Sequence, residues 1–105
     1  MRFLDICRNP HNPPEGDAPY LLVVQGDYIN VRSTRVVVPL VDVEAVAIIR
    51  GGLMPEFVIE GRRRVVMVTP ELAGVLVQDI GDVVASAEAR HYEVRRAIDV
   101  LTGDF

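Results

Sequence analysis

Hydrophobic and polar positions alternate in short runs along most of the chain, then change period near its end. Val84, Ala87, His91, Val94, Ile98 and Leu101 fall at spacings of three, four, three, four and three, which is one stripe of a helix. The spacing predicts an amphipathic helix from near Val84 to Gly103, a glycine suited to the left-handed position that closes a helix. Glu88, Arg95, Arg96 and Asp99 fall on its polar side, with Glu93–Arg96 and Arg95–Asp99 spaced to pair.

Upstream the pattern is strand-like. Residues 2–7 read as a first strand. Arg8 opens a loop to Pro19 that holds Pro10, Pro13, Pro14 and Pro19, and so many prolines cannot pair as an inner strand. Tyr20–Gln25 is strongly β, Gly26-Asp27 is a turn signal, and Tyr28–Val31 reads as a short continuation. Arg35–Val38 forms another strand, ended by Pro39. Val41–Ile49 fits a short helix or an irregular turn, closed by Gly51-Gly52. Glu56–Glu60 and Arg63–Thr69 form a hairpin with Glu60-Gly61-Arg62 at its tip. Pro70–Ala73 is a brief helical turn, and Val75–Ile80 is the last strand, broken by Gly81. Most of the connections are too short for parallel crossovers, which implies antiparallel pairing. The expected class is mainly β with α: a small SH3-like barrel or curved antiparallel sheet with a C-terminal helix packed on it.

At 105 residues the chain reads as a single domain, 1–105. Half of it is hydrophobic and its mean hydropathy is +0.24, an excess that points to a subunit interface or to a Val-rich core. The net charge of −4 argues against a general nucleic-acid binder. Cys7 is the lone cysteine, so no internal disulfide forms, which fits a reducing compartment. The first residues lack a signal-peptide pattern and no apolar run is long enough to span a bilayer, so a cytoplasmic location is expected. All 11 basic residues are arginine, which excludes Schiff-base and P-loop chemistry.

Few residues offer chemistry. His91 sits on the apolar stripe without an identifiable partner and reads as a partly buried core histidine. Cys7, His11 and His91 are too few for a metal site. Asp79 and Asp82 flank Gly81 as a turn signal. Arg62-Arg63-Arg64 at the hairpin tip is either a solvated turn or a docking point for phosphate or an acidic protein surface. Gly103-Asp104-Phe105 ends in an aromatic side chain of the kind that anchors protein interfaces, set against a frayed terminus as the plain alternative. No cofactor or metal is expected, and the chain does not read as an enzyme.

Several blocks, taken in order, resemble one family. They are Met1-Arg-Phe3, Arg8-Asn-Pro10, the run Tyr20–Asp27, Thr34–Leu40, the hairpin entry Leu53–Gly61, and Ala97–Leu101 followed by a glycine and an aromatic. At these spacings the chain is similar to the CcdB toxins of bacterial toxin–antitoxin modules, over nearly its whole length. The resemblance implies an SH3-like barrel with a C-terminal helix, assembled as a homodimer. It implies a non-enzymatic toxin that binds the A subunit of DNA gyrase and holds the enzyme on cleaved DNA. A CcdA-like antitoxin, disordered when free, would neutralise it. The gyrase contact carries over to Thr102, Gly103, Asp104 and Phe105. The family's best-studied member ends Trp-Gly-Ile; here Thr102 or Gly103 stands at the tryptophan, and Asp104 separates Gly103 from Phe105. Two other readings stand beside this one. One is an SH3-like barrel endoribonuclease using Arg62–Arg64 with His11, and the other is a diverged antitoxin-binding module without gyrase activity.

Overall fold

A computed structural model describes residues 1–13, 15–29 and 33–103. Its organising element is the nine-residue strand β3, Thr34–Asp42. On one side lies β2 (Tyr20–Val23), which in turn pairs with β1 (Asp5–Arg8), and β1 with β7 (Val83–Ser86). The other side of β3 is shared. Residues 34–37 pair with β6 (Ala73–Leu76), and residues 40–42 pair with β5 (Arg63–Met67), beside which lies β4 (Glu56–Ile59). All six ladders are antiparallel and together form one curled seven-stranded sheet. The helix α1, His91–Leu101, closes it.

Pro39 continues β3, where the sequence pattern ends a strand. Val24 N–H donates to Val36 carbonyl, so even-numbered β3 residues bond toward β2 and odd-numbered ones toward β6 and β5. Pro39 lies where β3 changes neighbour from β6 to β5, so the N–H it lacks falls in the gap. Its carbonyl is still used, by Val68 N–H at 3.1 Å.

The helix begins later than its stripe predicts. Val83–Ser86 is strand, not helix, because it supplies the outer neighbour of β1, and Ala87 N–H is taken by Leu4 carbonyl at 2.8 Å. Consecutive β-branched residues favour that outcome. A 3-10 turn, Glu88–Arg90, then leads into α1. The buried line runs through Ala87, Val94 and Ala97; His91 and Leu101, assigned to the stripe, are exposed. The last strand is also shifted: β6 is Ala73–Leu76, and Val77–Asp79 is a 3-10 turn. The predicted strand Tyr28–Val31 is not strand at Tyr28 and Ile29, and Asn30 and Val31 lie outside the described residues. The brief helical turn is Thr69–Glu71, with proline in its first turn, and Val43–Ala45 is a 3-10 turn inside the ambiguous segment.

The concave face of the sheet carries the main core. Ile6, Leu22, Val38, Leu40, Val65 and Met67 close on Phe57 and on Val94 and Ala97 of α1. Each fully buried aliphatic side chain there contributes about 1.5–3 kcal/mol. A second cluster on the opposite face holds Cys7, Leu21, Val23, Val37 and Ile80. Burial pushes the Cys7 thiol up, which keeps it a packing group and not a nucleophile. Among the described residues no helix is long and apolar enough to cross a membrane.

The β4–β5 hairpin turns through Glu60 and Gly61, both left-handed at φ 55° and 84°. That turn brings Glu60 back over the end of the sheet. It accepts the Tyr20 hydroxyl at 2.7 Å and the Arg8 guanidinium at 2.8 Å. The Tyr20 hydrogen bond, with Arg8 adding to it, holds the Glu60 carboxyl below the usual carboxylate range. A depressed carboxylate stabilises the fold above its ordinary value and loses that contribution as pH falls through the lowered one. Tyr20→Phe is therefore expected to flatten the loss of stability on acidification. Urea midpoints of both proteins from about pH 6 to about pH 3 check this. Parallel acid limbs in the two would contradict it.

Candidate functional site

The last turn of α1 is locked by its own sequence. Thr102 hydroxyl donates to the carbonyls of Ile98 and Asp99, Thr102 N–H to Ile98 carbonyl at 3.0 Å, and Gly103 N–H to Val100 carbonyl at 3.2 Å. Gly103 stands at φ 85°, a conformation a side chain would strain. The carbonyls of Ile98, Asp99 and Val100, which usually fray, are thus satisfied. Asp104 and Phe105, the other two residues of the expected contact, lie outside the described residues.

The other end of α1 is clamped by Arg90. Its guanidinium lies 4.2 Å above the Phe57 ring, donates to Glu56 carbonyl, and pairs with Glu93 at 2.6 Å. Glu93 therefore serves Arg90 and not Arg96, and no ion pair joins Arg95 to Asp99. Arg95 and Arg96 stand without ion-pair partners among the described residues.

The arginine run at the hairpin tip divides by function. Arg63 makes a bidentate pair with Asp42, both bonds at 2.8 Å, and Arg64 a bidentate pair with Glu56. These carboxylates keep both guanidinium groups more basic than usual. Arg62 forms no ion pair among the described residues and is exposed. A cleft of about 490 Å³ lies beside the run, walled by Asp17, Asp42 and Glu44 opposite the three arginines. No histidine lines it. His11 instead bonds to Asp79 at 2.8 Å, tying the proline-rich loop to the turn after β6. Asp82 acts through its backbone, its carbonyl taking Arg8 N–H at 2.9 Å. Among the described residues no group of three or more His, Cys, Asp and Glu could hold a metal ion.

A second surface escaped the sequence reading. Tyr28 is 99% exposed and Ile29 58%, two large apolar side chains side by side after the Gly26-Asp27 turn. Phe3 connects them to α1. It lines both a small cavity that reaches Ile29 and a groove that reaches Ile98 and Asp99. His91 meets the Phe3 ring edge-on at 5.3 Å. Two large apolar residues directly after a turn signal were the available clue; strand propensity outweighed it.

This combination is a rigid helix end, a neighbouring exposed apolar loop and, among the described residues, no group of His, Cys, Asp and Glu that could hold a metal ion. The family model described as CcdB protein matches residues 3–103. The chain belongs to the CcdB family. Its members are toxins of toxin–antitoxin modules, and the curled antiparallel sheet with a C-terminal helix is the expected fold. The match runs from Phe3 to the glycine that ends α1. A search of curated proteins finds no match.

Proposed function

We propose that the protein is a gyrase-directed toxin. It binds the A subunit of DNA gyrase through Thr102, Gly103, Asp104 and Phe105, traps the DNA-cleaved complex, and is neutralised by a CcdA-like antitoxin. The observation that carries this reading is the family match together with the locked last turn of α1. A terminal segment that leaves a rigid helix loses less freedom on binding than one leaving a frayed end. Tyr28 and Ile29 add an apolar contact on the side of the molecule that Phe3 joins to Asp99. Arg62, with Arg63 and Arg64 behind it, offers an acidic antitoxin segment a single free guanidinium. Titration of purified gyrase A subunit with the protein tests the reading: saturable binding supports it, and no heat or mobility change at any concentration opposes it.

The toxin works as a homodimer in this reading, and β6 is the edge that suits it. Gly74 pairs with Val36, whose polar groups face β2, so the N–H and carbonyl of Gly74 point away from β3. Leu76 follows the same alternation and is a large exposed apolar residue. Ala73 and Gly74 are small and exposed, so a second copy can approach closely. Gly74→Pro is expected to abolish dimers without unfolding the chain. The lost N–H faces outward, and a Cβ at Gly74 meets nothing within 4 Å. Sedimentation of the variant checks this; an unchanged dimer would place the interface elsewhere.

A further inference from the structure

The cleft of about 490 Å³ beside the hairpin tip has walls of opposite charge, and the backbone under each wall is pinned. Arg63 ties the walls together. Its two bonds to Asp42 join β5 to the end of β3, and a third, at 3.4 Å, reaches the carbonyl of Gly16. Asp42 N–H donates to the carbonyl of Asp17 at 2.7 Å, so the end of the proline-rich loop lies against the same strand. Glu44 sits in the 3-10 turn that follows β3 directly. Arg62 N–H donates to the Ile59 carbonyl at 3.3 Å as the hairpin turns. Groups carried on a backbone held in this way lose less freedom on binding than groups on a loose loop.

Two of the three arginines are already neutralised, Arg63 by Asp42 and Arg64 by Glu56. The side chains of Arg62, Asp17 and Glu44 form no hydrogen bond or ion pair among the described residues, and all three are exposed. The charges left open on the cleft are therefore two carboxylates against one guanidinium. A plain anion would gain Arg62 and meet both carboxylates, and a plain cation would gain the carboxylates and meet Arg62. A ligand with two cationic groups and one carboxylate satisfies all three. Val43 and Ala45, which also line the cleft, offer an apolar strip to the methylene groups between those charges. We propose that this cleft binds a free basic amino acid, its carboxylate on the Arg62 guanidinium and its two cationic groups on Asp17 and Glu44. Arg62 suits that role because a guanidinium holds a carboxylate through two parallel bonds. The site stands whether or not the chain binds gyrase.

The probe is L-arginine, titrated at constant ionic strength into the isotope-labelled full chain while its amide resonances are followed. Saturable shifts are expected at residues 16–17, 43–45 and 61–64, with half-saturation at about 1 mM or below. Agmatine, which lacks the carboxylate, and inorganic phosphate, which lacks the cationic groups, are expected to bind at least about tenfold more weakly. Arg62→Gln is expected to bring L-arginine down to the level of agmatine, and Asp17→Asn combined with Glu44→Gln to remove saturation. Both variants should keep the thermal midpoint, since none of these side chains bonds elsewhere among the described residues. No saturation by about 10 mM, agmatine or phosphate binding as tightly as L-arginine, or an Arg62→Gln chain that still prefers L-arginine to agmatine would each overturn the proposal.

Discussion

Deleting residues 103–105 is expected to abolish growth arrest while leaving a folded, dimeric protein. The truncated chain keeps every strand and all of α1, which ends at Leu101. It keeps both core clusters as well, since neither draws on anything beyond Ile98. What it loses is the aromatic end. Interface anchors of that type contribute about 2 kcal/mol or more, so affinity for gyrase A subunit should fall by about thirtyfold or more. Circular dichroism and the thermal midpoint of the truncated chain should match those of the full chain within about 2 °C. Colony counts on induction should return to those of an empty vector. A truncated chain that still arrests growth would move the active surface to the Tyr28–Ile29 loop or elsewhere.

The largest stability effect is expected at Phe57. Its ring is buried in the main core and carries the Arg90 guanidinium on its face. Phe57→Ala opens a cavity and is expected to cost about 3–5 kcal/mol. At this chain length that lowers the thermal midpoint by about 15–20 °C. Arg90 also loses its platform, so the clamp on the start of α1 weakens. Phe57→Leu keeps most of the volume and loses the ring, and about 1–2 kcal/mol is expected there. Scanning calorimetry at one protein concentration measures both, since a dimer's midpoint depends on concentration. A loss below about 1 kcal/mol for Phe57→Ala would mean the core is not closed around this ring.

The architecture was legible where local patterns agreed with it. The proline-rich loop after Arg8, the Glu60-Gly61 turn and the glycine at 103 all appear where their residue chemistry requires. The errors share one physical cause, which is that tertiary pairing overrode local period. Val84 fits a helical stripe, but β1 needed an outer neighbour and drew Val83–Ser86 into the sheet. Pro39 reads as a stop, yet β3 passes through it because two strands divide its far side at that residue. The site was less legible. Nothing in the run Arg62-Arg63-Arg64 told which arginine was free, because Asp42 and Glu56 come from other strands. The left-handed turn at Leu4, φ 71°, was invisible too, since it depends on Asp27, far along the chain, which accepts Phe3 N–H. The terminal aromatic marked Gly103-Asp104-Phe105 as a contact, the family resemblance added Thr102 and a target for it, and the match over residues 3–103 stops just short of Asp104 and Phe105.

The most direct test is a cleavage assay with purified gyrase, supercoiled plasmid and the full chain. The contact mechanism predicts protein-linked linear DNA that accumulates only when gyrase and the chain are both present. Plasmid that stays supercoiled, beside RNA cut by the chain alone, would contradict it.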